Sequence, residues 1–368
     1  MPLNMNILDS YVMMGLWEEL TPVDTFFRDR YFPTEAGDIF KTKKVLTEYR
    51  KGNKGMAPFM MRNADPINVN RKGFEIHDYE PTCIKQSRIL YIDQLEELGY
   101  GEAILTDRTP EQRAAALVQE DLKVLEDRIT RTEELLCANT MINNGFTVDE
   151  IAGVAPDGTL ITGNTATVLY YDPLHGNDGA ITIAAGDKIT KNSDWDAIVK
   201  IIRPMARSLK RRGLPATDLL VGQDVADVLL NNTVFKSLVN TQSGIIIADP
   251  INVELSKYDG VTLIGIINFF GHKLNVICVD EQYEAADGTI TNYFPAKSIC
   301  VTAPAAGHLM YGACSKMDEN GKVSTLAAKR LPDLFVNRKQ KQREITLETY
   351  PLAGPKNYSP WIYGANAV

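Results

Sequence analysis

The spacing of apolar and polar positions marks one element above the others, "TPEQRAAALVQEDLKVLEDRITRTEELLCANTMINNG", residues 109–145. Ala114, Val118, Leu122, Leu125, Ile129 and Leu136 recur on one helical stripe, with Glu120, Lys123, Asp127 and Arg131 off it. Thr109 caps the helix, Pro110 takes its first position, Gln112 completes a capping box and Asn144-Gly145 stops it. At 1.5 Å per residue the rod is about 50 Å long. A narrow apolar stripe on so long a rod predicts that it lies across a sheet or neighbouring elements, not inside a core.

Upstream, Met5, Leu8, Val12 and Leu16 form a helical stripe with Met13, Trp17 and Leu20 beside it. Thr21-Pro22 and Asp24 then open a short second helix through Phe26 and Phe27, which Pro33 ends. These pieces have too few partners to make a domain and read as an arm. Weak strand character at 39–49 and 74–80, with Ile39, Val45, Phe74 and Ile76 apolar, predicts a long two-stranded excursion. Such a hairpin is marginal in water by itself and needs something outside it to hold it.

Short strand-like runs between 146 and 190 are broken at Pro156-Asp157-Gly158, Gly163-Asn164 and Gly176-Asn177-Asp178-Gly179. A second helix starts at Ser193, boxed by Asp196. It buries Trp195, Ile198, Val199, Ile202, Met205, Ala206 and Leu209 before Gly213. "ATDLLVGQDVADVLLNNTVFKSLVN" then reads as a buried strand, a helix capped near Asp224 and another short helix. "GVTLIGIINFFGHKLNVICVD" reads as a hairpin turning at Gly271-His272, and "KSICVTA" as one more strand. Residues 194–312 thus form a compact α/β unit, and the strands of 325–368 must travel back to the long helix.

Charge changes this picture at one place. The tip of the excursion, "YRKGNKGMAPFMMRNADPINVNRKG", holds Arg50, Lys51, Lys54, Arg62, Arg71 and Lys72 against a single acid, Asp65, in a 368-residue chain of net charge −8. Met56, Phe59, Met60 and Met61 make an apolar cluster at its middle that it cannot easily bury on itself. Structureless loops longer than about 15 residues are uncommon unless they are functional or disordered. The segment therefore reads as an arm that docks on an acidic neighbour.

Candidate chemistry is sparse. The chain has no phosphate-binding glycine loop, nucleophile elbow, paired-histidine zinc motif or calcium loop. Cys83, Cys137, Cys278, Cys300 and Cys314 are odd in number and scattered, which predicts buried, reduced thiols in a cytosolic setting. His77, His175, His272 and His308 are far apart in sequence, so no metal site or cofactor is expected. Asp194 and Asp196 read as helix-start acids before a cation site. Lys200, Arg203, Arg207, Lys210, Arg211 and Arg212 read as a solvated helix face before a nucleic-acid patch, because no aromatic platform accompanies them. No secretory signal and no run near the about 20 apolar residues of a membrane span is present.

Taken in order, several pieces resemble the phage lambda-like major capsid protein family, the protein E group. They are the aromatic "VDTFFRDRYFP", the basic hairpin, the long helix, "TDLLVGQDVADVLLNN", "AAGHLMYGACSK" and the closing "LFVNRKQKQREITLETYPLAGPKNYSPWIYGANAV". The resemblance implies an α+β, Hong Kong 97-type capsid fold. It divides the chain into an N-terminal arm at 1–38, an E-loop at 39–81 and a P-domain at 82–193 whose spine helix spans about 110–143. An A-domain at 194–312 follows, with 313–368 returning to the P-domain.

By the same resemblance the chain is a non-enzymatic shell protein that forms hexamers and pentamers around double-stranded DNA. It would be assembled in the bacterial cytoplasm and lodged in the virion. A portal, possible decoration protein and separate scaffold are implied partners, the last because the arm begins too early to leave room for a scaffolding domain. Arg50, Lys51, Lys54, Met56, Phe59, Met60, Met61, Arg62, Arg71, Lys72, Phe26 and Phe27 become the candidate inter-subunit contacts. Lys51, Asn53 and Lys54 evoke the isopeptide cross-link of the wider fold class, but the lambda-like group is not expected to form it. The rival readings are a cytosolic α/β enzyme with a pocket in 194–312 and a phage virion protein that forms rings or tubes.

Overall fold

The computed structural model describes residues 23, 25–49, 75–91, 110–155, 159–170, 180–235, 245–246, 255, 257–258, 260–269, 271–285, 288–317, 323–337 and 339–368. The expected helical stripe from Met5 to Leu20 and the expected cap of the second helix at 21–24 fall outside them, apart from Val23. The aromatic opening folds as one wide helical turn, Phe27–Tyr31, closed by the Phe32 N–H donating to the Phe27 carbonyl at 3.1 Å.

Strands β1 (Val45–Tyr49) and β2 (Glu75–Tyr79) pair antiparallel, from Val45 opposite Tyr79 to Tyr49 opposite Glu75. The excursion thus leaves and returns side by side, as its pattern predicts. After β3 (Ile84–Tyr91) comes the rod, α1 (Pro110–Asn143), which ends where Asn144 turns to φ 56°. A hairpin of β4 (Gly145–Val154) and β5 (Leu160–Leu169) follows, then the short β6 (Ala180–Thr182).

Helix α2 (Trp195–Arg212) buries Ile198, Val199, Ile202, Met205, Ala206 and Leu209 and stops at Gly213, φ 84°. The expected capping box at its start does not form. Asp194 makes no side-chain cap bond, and the Ser193 hydroxyl instead accepts the Thr190 N–H at 2.9 Å, closing the preceding turn. Then come β7 (Asp218–Gly222), α3 (Gln223–Asn231), β8 (Ile245–Ile246) and a hairpin of β9 (Val261–Phe269) and β10 (His272–Val279). The turn of that hairpin is Gly271, φ 77°, where the left-handed backbone favours glycine.

Two short strands, β11 (Gln282–Glu284) and β12 (Ile290–Asn292), pair with each other. The rest of the chain is β13 (Ile299–Thr302), β14 (Gly307–Tyr311), β15 (Cys314–Met317), β16 (Val323–Leu326), β17 (Leu331–Asn337), β18 (Gln342–Thr349), β19 (Pro351–Pro355) and β20 (Ile362–Ala365).

One sheet runs β6-β20-β13-β7-β10-β9-β8, with β7 parallel to β10 and β20 parallel to β6. Alternation along β7 gives it two apolar faces. Leu219 and Val221 pack with Ile198, Ile202, Val225 and Leu229 of α2 and α3, while Leu220 joins the cluster of Phe26, Phe27, Met141 and Trp361 behind. The α/β unit therefore exceeds residues 194–312, because β6 and β20 come from outside that range. A single tail serves both halves: β18 lies on α1 and β20 closes the sheet.

The rod does lie across a sheet. Val118, Leu122, Leu125 and Ile129 pack on Ile345 and Leu347 of the β17-β18-β3 sheet. Its second half is buried on more than one side, with Leu136, Cys137, Ala138 and Met141 in the large central cluster. All five cysteines are free, and Cys83 departs from expectation by being exposed.

Candidate assembly surfaces

Arg50, Lys51, Lys54, Met56, Phe59, Met60, Met61, Arg62, Arg71 and Lys72 lie outside the described residues. What frames them is the β1-β2 ladder, footed in the body by Val45, which is 1% exposed, and by the edge-on contact of Tyr79 with Tyr170 at 4.8 Å. Phe26 and Phe27 have a different fate. Both rings are 0% exposed within the single chain. Phe26 meets Phe27, Tyr31 and Tyr258 at 5.3–5.5 Å, and Phe27 stacks on Phe294 at 6.4 Å. Within the single chain the body encloses both rings in an apolar socket.

What surrounds that socket is ionic. Glu126 and Glu133 stand seven residues apart on the buried side of α1. Arg330 enters between them and donates from Nη1 and Nη2 to both oxygens of Glu133, at 2.6 and 2.7 Å, and from Nε to Glu126 at 2.8 Å. Its Nη1 also reaches the Thr349 hydroxyl at 3.1 Å. Burial by itself would lower the guanidinium pKa, but Glu133 and the phenol of Tyr311 outweigh it and hold Arg330 charged. Glu133 also receives Arg28 at 3.4 Å.

The next residue, Glu134, acts on the backbone. Its two oxygens accept the N–H groups of Phe27 at 2.5 Å and Arg28 at 2.9 Å, so it caps the aromatic turn from another element. It is 1% exposed, and desolvation pushes its carboxyl up to about 7, against the pull of those N–H donors and of Arg28. From the same turn, Arg30 binds Asp218 of β7 through Nε at 2.9 Å and Nη2 at 2.8 Å. The Tyr31 hydroxyl donates to the same carboxylate at 3.0 Å, and Asn275 of β10 to its other oxygen at 3.0 Å.

Residues 26–32 are therefore a keystone. One side is bonded to the rod through Glu133 and Glu134, the other to the seven-stranded sheet through Asp218. Phe32 rests on Trp361 at 5.5 Å, whose Nε1 donates to Asn144 at 2.9 Å where the rod ends. Sequence reasoning missed this set. The signal was present in part, since Glu126 and Glu133 share the stripe of Leu122, Ile129 and Leu136, and acids on a buried stripe demand buried cations.

No catalytic constellation competes with this reading among the described residues. A depression of about 490 Å³ on α2 is lined by Asp196, Lys200, Arg203, Pro204 and Arg207, and Lys200 pairs with Asp187 at 2.7 Å as on a solvated face. Another, of about 580 Å³, opens beside Thr25, Arg131, Glu134 and Asp280. Among the described residues no His, Cys, Asp and Glu group is arranged to hold a metal ion. Nor is any helix there long and apolar enough to cross a membrane.

Comparison with solved structures identifies the architecture. A candidate capsid protein of a prophage of E. coli CFT073 superposes with a TM-score of 0.59 at 14% identity, over 99% of each chain. A phage-related protein from Bordetella bronchiseptica RB50 gives 0.50 at 8% identity, over 98% of this chain and 97% of that one. The fold is thus the Hong Kong 97-type phage capsid fold, a class of shell-forming structural proteins. A family model described as phage major capsid protein E matches residues 9–366, and the chain belongs to that family. No individually curated protein matches it by sequence. It is a virion structural protein, not an enzyme, and it self-assembles into a shell.

Proposed function

We propose that the chain is the repeating subunit of an icosahedral phage head, built from hexamers and pentamers around double-stranded DNA. The observation that carries this is the combination of one locked body with a two-stranded excursion leaving it. The keystone fixes rod and sheet into a single wedge, while β1 and β2 carry the basic, Met-rich segment 50–74 out and back. Shells need self-complementary contacts that are individually modest and spread over reaching elements.

In this reading residues 1–38 are an arm and 39–81 an E-loop lying over the adjacent subunit. Arg50, Lys51, Lys54, Arg62, Arg71 and Lys72 there meet acids, while Met56, Phe59, Met60 and Met61 fill an apolar groove. Methionines suit such a contact because one sequence must fit slightly different neighbours. Residues 82–193 with the tail form the P-domain around α1. Residues 194–312, extended by β6 and β20, form the A-domain near the capsomer centre. The acidic net charge of −8 keeps the wall from binding packaged polyanion tightly. Assembly takes place in the host bacterial cytoplasm with a separate scaffold and a portal, and a decoration protein is a possible outer partner.

The test is electron microscopy of the full chain expressed alone and with its genomic neighbours, beside a variant lacking residues 50–72. Closed shells or six- and five-fold rings are expected for the intact chain and only unassembled, folded subunits for the deletion. A monodisperse monomer or dimer from the intact chain under both conditions overturns the proposal.

A further inference from the structure

The two ends of α1 carry opposite and matching surfaces. At its C-terminal end the β4-β5 ribbon begins in the core, with Phe146 2% and Val168 8% exposed, and then runs out into solvent. Along its outer half Ile151, Leu160 and Ile161 are 47–54% exposed. Among the described residues the ribbon is a sheet of two strands, and each strand has one edge with no described strand beside it. Residues 145–169 contain Asp149, Glu150 and Asp157 and not one Lys, Arg or His. A two-stranded ribbon that shows apolar side chains to water is marginal alone, and isoleucine and leucine clustered there mark a contact surface.

The other end of the rod is the reverse. Ile345 lies opposite Arg88 in the sheet, and Arg88 pairs with Asp121 at 2.6 Å, whereas Thr349 reaches Glu133 through Arg330. Strand β18 therefore runs toward the C-terminal end of α1, which puts the β17-β18 turn at the N-terminal end, about 50 Å from the root of the ribbon. On the sheet face turned away from α1, Phe335 and Ile89 flank Glu344 in one cross-strand row and are 62% and 42% exposed. Tyr91, 47% exposed, follows one row on. Residues 336–343 hold Arg338, Lys339, Lys341 and Arg343 and no acid, with Lys339 and Lys341 exposed.

We infer that the β4-β5 ribbon of one subunit docks on the β17-β18-β3 end of a second copy of this chain, with the exposed Ile151 and Leu160, which share one face of the ribbon, on Phe335, Ile89 and Tyr91 and with Asp149 and Glu150 toward Lys339 and Lys341. Because the two patches differ and sit at opposite ends of the rod, copies set head to tail repeat the contact from subunit to subunit, as a shell requires, whereas an antiparallel pair would satisfy both patches at once and close as a two-fold dimer. Charge complementarity supplies the pairing direction. The inference rests on the shell-forming reading and names one of its interfaces.

The test is a charge swap in the full chain, read as the fraction of protein in rings or shells by sedimentation and microscopy. Thermal unfolding of the unassembled subunit serves as the folding control. D149K/E150K and K339E/K341E are each expected to lower the assembled fraction by roughly tenfold or more, and the four substitutions together to restore most of it. The folding control should not move, since all four side chains are exposed. Single-site variants that assemble like the parent, or a combined variant that fails to recover while its subunit stays folded, overturn the inference. Failure of the parent chain itself to assemble overturns instead the shell reading beneath it.

Discussion

Arg330 and Glu133 meet fork to fork, Nη1 on Oε1 at 2.6 Å and Nη2 on Oε2 at 2.7 Å, with side chains 6% and 0% exposed. A buried bidentate pair is geometrically specific, and removing either partner leaves the other under-compensated, Arg330 with Glu126 and Glu133 with Arg28. Replacing Arg330 by Met or Glu133 by Leu is therefore expected to cost about 3–5 kcal/mol, and the double replacement clearly less than the sum of the two. Denaturant unfolding of the unassembled subunit in a double-mutant cycle checks this. Additive losses would mean that the two side chains act independently.

Glu134 gives a pH dependence whose sign is fixed. Its folded pKa of about 7 lies above the ordinary carboxylate value. Its contribution is complete below that ordinary value and is lost as pH rises through 7, because the ionised form must sit desolvated. The full span is on the order of 3 kcal/mol. His308 acts in the opposite sense: burial lowers its pKa despite Asp38 beside it, so its contribution fades as pH falls. The difference between the parent and Glu134→Gln isolates Glu134. Stability measured from pH 5 to pH 8 is expected to decline more in the parent than in the variant, and parallel curves would refute the assignment.

Phe26 and Phe59 are both aromatic and both near the start of the chain, yet they are expected to fail differently. Phe26→Ala empties a fully buried socket and is expected to destabilise the subunit by about 3–5 kcal/mol. Phe59→Ala is expected to leave the unassembled subunit's unfolding midpoint unchanged and to weaken assembly. Midpoints and assembled fractions measured side by side separate the core role from the interface role.

Gly307 is set by its neighbours, not by its backbone angles. A Cβ there would meet the Phe32 ring and the Gly354 carbonyl oxygen. Overpacking of this kind costs about 1–3 kcal/mol, and Phe32 cannot yield without pushing on Trp361. Gly307→Ala is expected to lower the thermal midpoint, whereas Gly271→Asn, at an open turn, is expected to change it little.

The rod shows why some of this was legible. Its bounds follow from residues close in sequence: a proline with no N–H to satisfy, an apolar stripe, an asparagine that tolerates φ 56°. The β9-β10 hairpin is local in the same way, turning on Gly271. The keystone is not. Glu133 finds Arg330 across 197 residues, and Arg30 finds Asp218 across 188, so no window of sequence contains both halves of either bond. The sheet misled for the same reason, since β6 and β20 are short strands whose place depends on each other and on β13. At α2 the local signal for a cap was real, but Thr190 outbid it for the Ser193 hydroxyl.

The contact of Phe32 with Trp361 sets the order of events during synthesis. The keystone leaves the ribosome long before Trp361 does, so the body cannot close until that tryptophan has been made. At about 5–20 residues per second the wait is tens of seconds, during which no wedge exists for a neighbour to grip. A nascent chain stopped before Trp361 should stay sensitive to protease until the tail is supplied. Emergence of Trp361 is thus the step expected to make a subunit competent to join a shell, and copies still short of it offer their neighbours no finished body to assemble on.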